Sequence, residues 1–255
     1  MARVALVTGA GRGIGRAIAI ALARTGVAVA VAARTRGQID ATARDIESAG
    51  GTALAVPLDV TDDAAIGPAL ASIVSGLGPI DIVVNNAGIA EAAPFARTTQ
   101  ELWERHFRVN ATGPYLVTRA TLPGMLARGW GRVVNIASTA GLAGAPYVAA
   151  YTASKHALIG LTRALAAEVA GQGVTVNAVC PGFAATDIVW NGARAIAART
   201  GRAFDDAVAA MAQLNPGGRL IEPAEVAQTV LALIEDGQRH GETVVLDGTP
   251  ERRTA

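Results

Sequence analysis

Tyr151 and Lys155 stand four residues apart, and Ser138 lies thirteen positions before the tyrosine. On a helix, positions i and i+4 share a face, so the phenol and the ammonium can act together. A free phenol titrates at about 10 and exchanges protons poorly at neutral pH; a neighbouring ammonium favours the phenolate and lowers that value. Such a phenol can donate a proton to a ketone being reduced, or take one from an alcohol being oxidised. Ser138, at the end of a predicted strand, can donate a hydrogen bond to the same oxygen. Each residue alone has an ordinary reading, since Tyr-x-x-x-Lys is common on solvated helices and serine ends many strands. Specificity comes from what precedes them.

Far upstream, the strand-like run Val4-Ala5-Leu6-Val7 breaks into Thr8-Gly9-Ala10-Gly11-Arg12-Gly13-Ile14-Gly15. Gly9, Gly13 and Gly15 permit a tight turn and close backbone approach. The helix that opens there, with Arg12 and Ile14 in the same loop, offers unpaired N–H groups to a dinucleotide phosphate. A glycine-rich turn alone is weak evidence; a strand before it and a helix after it make the cofactor reading specific. The end of the second strand indicates which dinucleotide. An NAD site places a carboxylate there for the ribose 2′-hydroxyl, whereas this chain has Ala33-Arg34 and no acid before Asp40. Arg34, with Arg12 in the glycine loop, suits a 2′-phosphate, so NADP is expected over NAD. The competing reading makes Arg34 and Arg36 ordinary solvated charges. Asp59-Val60 would lie beside the adenine, although an Asp there can also signal a helix start. In Asn85-Asn86-Ala87-Gly88, small Ala87 and Gly88 would let the cofactor sugar approach. Asn86 belongs to the same segment, and the asparagines are expected to tie strands together.

The elements that must carry these groups alternate strand and helix. Strands are predicted at Arg3–Val7, Val27–Ala33, Thr52–Pro57, Ile80–Asn85, Gly131–Ala137, Val174–Val179 and Glu242–Leu246. Helices are predicted at Ile14–Thr25, Gln38–Ala49, Asp62–Gly76, Thr98–Arg108, Tyr115–Arg128, Tyr151–Ala170 and Glu222–Glu235. This pattern implies one α/β domain over residues 1–255, a Rossmann-type doubly wound parallel seven-stranded sheet with helices on both faces. Between Pro181 and Arg219 no strand is predicted. A long connection of this kind suggests a substrate lid at about 183–218, with Phe183, Trp190, Phe204 and Met211 available to line an apolar pocket. The alternative is a pair of packed surface helices anchored by those residues.

Bulk properties narrow the class. The 255 residues are 51% hydrophobic but only 4% aromatic, which implies a tight core of small residues. A formal charge of +1 supplies no field for nucleic acid or an acidic membrane. No continuously apolar stretch reaches the roughly 20 residues that span a bilayer, and the glycine loop interrupts any signal-like apolar run. Cys180 is the only cysteine, which excludes an intrachain disulfide and suits a cytoplasmic setting. His106, His156 and His240 lack metal-ligand spacing, so no metal is expected.

The ordered set TGAGRGIG (Thr8–Gly15), NNAG (Asn85–Gly88), Asn110 in VNATG, NIAS (Asn135–Ser138), YTASK (Tyr151–Lys155) and CPG (Cys180–Gly182) resembles the short-chain dehydrogenase/reductases over nearly the whole chain. The resemblance implies a Ser138–Tyr151–Lys155 centre, with Lys155 also on the nicotinamide ribose. It implies that Asn110 holds a water leading from Lys155 to solvent. It further implies Thr186 on the nicotinamide carboxamide, Pro181-Gly182 along the ring, and a homodimer or homotetramer. Residues 151–183 resemble bacterial reductases of 3-oxoacyl thioesters and polyketides. The family often ends in Asp-Gly-Gly, where this chain has Asp247-Gly248-Thr249-Pro250, and the polar tail Glu251–Ala255 is expected to be mobile.

The leading expectation is therefore an NADP(H)-dependent reductase of a small-molecule ketone. A dehydrogenase of a sugar, diol or steroid alcohol is the second reading, and a dinucleotide-binding sensor without turnover the third. Arg194, Arg199 and Arg202 could meet a carrier phosphate, or form a solvated face near Asp205 and Asp206.

Overall fold

The computed structural model describes residues 2–249 and 253–254. Seven strands form a parallel sheet: β1 (Val4–Thr8), β2 (Ala28–Ala33), β3 (Ala53–Pro57), β4 (Ile82–Asn85), β5 (Gly131–Ile136), β6 (Val174–Pro181) and β7 (Thr243–Leu246). Their order across the sheet is β3-β2-β1-β4-β5-β6-β7. The strands read as continuous apolar runs because both faces are covered. In β1, Val4 and Leu6 enter one core with Ala28, Ala30 and Ala32, while Ala5 and Val7 enter the other with Val29 and Val31.

Two helical layers supply those covers. On one face lie α1 (Gly13–Arg24), α2 (Arg36–Ser48) and α9 (Pro223–Glu235), contributing Ile18, Leu22, Ile39, Ile46, Val226, Val230 and Leu233. On the other, α3 (Asp63–Leu77), α5 (Gly113–Ala127) and α6 (Ala149–Glu168) contribute Ile66, Ile73, Val117, Met125 and Ala166. Strand order reverses between β1 and β4, which opens a crevice at their carboxyl ends. No described helix is long and apolar enough to cross a membrane.

Two features differ from the sequence expectation, and a third, the long connection after β6, has the packed helices of one of its two readings. The helix α4 (Gln100–Phe107) does not stop at Arg108 but runs through a π-helical turn, Arg108–Thr112, straight into α5. Pro114 has no N–H to give the Asn110 carbonyl at i+4, so the α-helical ladder cannot pass. The turn widens instead, and Gly113 N–H reaches the Arg108 carbonyl. The 183–218 connection holds two helices, α7 (Asp187–Thr200) and α8 (Phe204–Ala212). Val189, Ala193, Ala207 and Met211 form their own small core, with Phe183 and Trp190 packed against it. Finally, Arg253–Thr254 in the tail pair antiparallel with Val244 and Val245 as a short eighth strand, β8; residues 250–252 and 255 lie outside the described residues.

Candidate active site

Ser138 follows β5 in extended backbone and starts a short 3-10 turn, Thr139–Gly141. Its hydroxyl oxygen accepts from the Ala140 N–H at 3.1 Å, and the hydroxyl lies near enough to the Tyr151 phenol to favour its phenolate. The Ser138 main-chain N–H lies near the sulfur of Cys180 in β6. Tyr151 and Lys155 lie one turn apart on α6. The Lys155 ammonium donates to the Ile136 carbonyl at 2.8 Å and sits 5.9 Å from the centre of the Tyr151 ring.

Electrostatics here differ from the sequence expectation in one respect. The ammonium was expected to lower the phenol's pKa. Burial instead raises it above 10.0, the Ser138 hydroxyl opposing and nearby Cys180 adding. Lys155 is only 4% exposed, and burial depresses it from 10.5 to about 8, with Cys180 acting in the opposite sense. The reason is geometric: the ammonium is turned to a backbone carbonyl, and removal from water outweighs its attraction for a phenolate. Burial likewise pushes the Cys180 thiol up to about 11, so it stays neutral beside the lysine.

Asn110 is fully buried in the π-helical turn. Its amide nitrogen donates to the Ile89 carbonyl and the Ser154 hydroxyl, both at 3.0 Å. Its amide oxygen accepts from Ile89 N–H at 2.9 Å. Ser154 in turn donates to the Tyr151 carbonyl at 2.7 Å. Both amide protons are thus spent on positioning the loop after β4 and the start of α6.

Sequence reasoning missed several supporting residues. Buried His106 accepts from Glu91 N–H at its Nε2, 3.1 Å away. A main-chain N–H can only donate, so the ring proton is on Nδ1, facing the Leu102 carbonyl at 2.8 Å. The ring stands edge-on to Tyr151, centroids 6.3 Å apart. Asn215 ties the segment after β6 to the end of α8, bonding both backbone groups of Phe183 at 2.9 Å and the Arg219 carbonyl at 2.6 Å. A side chain on Gly182 would strike its amide oxygen. Tyr147 holds a left-handed φ of 67°, and its carbonyl accepts from Ala93 N–H at 2.8 Å, joining the loops after β4 and β5. None of these has a spacing signal in the sequence. Only Cys180, adjoining Pro181-Gly182, was visible as part of a motif.

The glycine turn is built as its sequence requires. Gly9 and Gly13 have φ of 65° and 54°, a region that favours glycine. Arg12 caps α1 with its backbone alone, and the first turn carries no acid. The N-terminal amides are therefore left by side chains for an anion, which fits a dinucleotide phosphate. Asn86 ties the turn to β4, its amide donating to the Thr8 carbonyl at 2.9 Å, and Asn85 ties β4 to Asn135 on β5 at 2.8 Å. A Cβ on Gly88 would lie 3.3 Å from the Asn110 amide oxygen and 3.6 Å from the Lys155 ammonium, so Gly88 lies between cradle and catalytic cluster. A Cβ on Gly15 would strike the Gly9 carbonyl and the Asn86 amide. Gly15→Ala is expected to cost about 1–3 kcal/mol of stability and to weaken dinucleotide binding at least about tenfold; thermal melting and a binding titration check both.

After β3, Asp59 accepts from the Thr61 N–H and hydroxyl at 2.9 and 2.8 Å. Burial works against its charge, but the Thr61 contacts and Arg34 outweigh it and hold the carboxyl below its usual range. Arg34 is 3.9 Å from Asp59. The cap of α3 is Asp62, not Asp59. Val60 packs on Gly113. Arg36 is engaged by Asp40 at 2.9 Å, and Arg12 by Asp187 at 2.8 Å. Thr186 caps α7 and lies against Gly13, 3.4 Å from where a Cβ would stand.

A doubly wound sheet with a phosphate-fitting turn at its reversal, and a Ser–Tyr–Lys cluster beside it, defines a nicotinamide-dinucleotide oxidoreductase. The short chain dehydrogenase family profile matches residues 3–196, and the chain belongs to that family. A putative ketoacyl reductase of Streptomyces coelicolor is 41% identical over 248 residues, covering 92% of this chain and 91% of the relative. An acetoacetyl-CoA reductase of Rhizobium meliloti is 40% identical over 253 residues, 97% and 98% of the two chains. A variant of the actinorhodin polyketide ketoreductase, solved with NADPH, superposes with a TM-score of 0.93 at 37% identity, covering 97% of this chain and 96% of that one.

Proposed function

We propose that this protein is an NADP(H)-dependent reductase that converts a ketone, carried as a 3-oxoacyl thioester or polyketide-like chain, to a secondary alcohol. The observation that carries the reading is the clustering of Ser138, Tyr151 and a buried Lys155 beside the glycine cradle. The relatives that act on ketoacyl groups support the substrate class.

When bound, the nicotinamide would supply the hydride. Gly9, Gly13, Ile14 and Gly15 would hold its pyrophosphate, Asn86, Ala87 and Gly88 its sugar side, and Asp59 and Val60 the adenine. Pro181, Gly182 and Thr186 would border the ring, and Arg12 and Arg34 would take the 2′-phosphate. Ser138, polarised by the Ala140 amide, donates to the ketone oxygen. Tyr151, kept protonated by burial, gives its proton to that oxygen, and Lys155 stabilises the phenolate left behind. Asn110 positions this pair through Ser154. Its main-chain carbonyl, to which Pro114 offers no helical donor, is the group suited to hold a relay water.

In this reading α7 and α8 act as the substrate lid. Arg194 stacks over Phe204 at 5.8 Å and Arg199 bonds the Ala195 carbonyl at 3.3 Å. Among the described ion pairs neither joins Asp205 or Asp206. Exposed Trp103 and Tyr115 on α4 and α5 support a homodimer or homotetramer.

The test is NADPH absorbance loss across acyl thioesters, cyclic ketones and sugar ketones. Turnover of acetoacetyl thioesters well above the rest is expected; a sugar ketone preferred over every thioester overturns the substrate class. Ser138→Ala should lower kcat by about 10²–10³ with NADPH affinity unchanged, measured by steady-state kinetics and titration.

A further inference from the structure

Each arginine that could hold a 2′-phosphate already faces a carboxylate: Arg34 with Asp59, Arg36 with Asp40, Arg12 with Asp187. The first two pairs are local to the adenine end. The third is different in kind. Arg12 sits in the glycine loop, while Asp187 is 175 residues away in the first turn of α7. The contact is a 2.8 Å hydrogen-bonded ion pair, and the backbone beside it is close, with Thr186 against Gly13.

We propose that Asp187 is a cofactor-selectivity residue: its carboxylate competes with the cofactor's 2′-phosphate for Arg12. This rests on the NADP reading above. A phosphate monoester carries about −1.5 to −2 charge at neutral pH and three acceptor oxygens, so it outcompetes a single carboxylate for a guanidinium. Both side chains are substantially solvated, 63% and 48% exposed, so the exchange needs no burial of a bare charge. NADH has no phosphate at that position and leaves the pair intact. Asp187 thus subtracts from NADPH affinity and not from NADH affinity.

The experiment is a titration of both reduced cofactors, followed by nicotinamide fluorescence, for wild type, Asp187→Asn, Arg12→Ala and the double variant. Asp187→Asn is expected to tighten NADPH about three- to fivefold, the range an exposed ion pair can control, and to leave NADH unchanged. Any general loosening of α7 would move both cofactors alike, so NADH is the internal control. Arg12→Ala should weaken NADPH and abolish the gain from Asp187→Asn. The gain should shrink in high salt. Equal shifts for both cofactors, no shift, or a gain that persists without Arg12 overturns the proposal. None of these touches the NADP reading, which fails separately if wild type binds NADH more tightly than NADPH.

Discussion

Tyr151→Phe is expected to cut ketone turnover by about a thousandfold, inside the range a positioned general acid supplies, while NADPH affinity stays within about twofold. The substitution removes one oxygen. The ring keeps its edge contact with His106, and Ser138 keeps the Ala140 amide, so melting temperature should hardly move. What is lost is the proton source. Burial raises the phenol above its ordinary value, so in wild type it remains an acid throughout the neutral range. Reduction should therefore decline through the titration of Lys155, which is half complete at about 8. Single-turnover kinetics with saturating NADPH measures the chemical step directly. More than about a tenth of wild-type rate in the phenylalanine variant would remove Tyr151 from the role of proton donor.

The second large effect has two opposite signs. Lys155→Met is expected to lower kcat at least about a hundredfold and yet to stabilise the cofactor-free protein at pH 7. Burial holds the folded-state lysine at about 8, against 10.5 for the exposed group. Between those values the unfolded chain binds the proton that the folded chain has released. The lysine's penalty is therefore full below pH 8 and fades as pH rises toward 10.5. That depression corresponds to about 3 kcal/mol. Methionine keeps the length but leaves the Ile136 carbonyl without its donor, which returns about 1 kcal/mol. The net gain of about 2 kcal/mol should raise the melting temperature by about 4–8 °C. The gain should fade as pH climbs from 8 to 10.5 and turn into a loss of about 1 kcal/mol once only the missing donor to the Ile136 carbonyl remains. A variant that melts lower than wild type at pH 7 would show that Lys155 contributes more by its hydrogen bond than it costs by its burial.

Much of this was legible along the chain. Apolar runs of strand length separated by amphipathic segments located all seven parallel strands, because a sheet covered on both faces leaves no polar alternation to confuse. The glycines at 9, 13 and 15 and the spacing of Tyr151 from Lys155 are local constraints, fixed by backbone geometry within a turn or two. Other facts depend on groups far apart in sequence. The direction of the Tyr151 shift depended on where the Lys155 ammonium points and how much water it has lost, and neither is a property of spacing. The π-helical turn lies where Pro114 withdraws a helical donor, but the continuation of α4 into α5 is visible only in the folded chain.

The amino-acid order alone determined the α/β class, the glycine turn and the candidate reacting side chains, since each follows from short-range periodicity or from residues a turn apart. Tertiary structure alone decided which charges face one another: Arg12 with Asp187, Cys180 beneath Ser138, His106 beside Tyr151. Electrostatics and solvation act through space, and the chain brings those partners together only when the sheet closes its crevice.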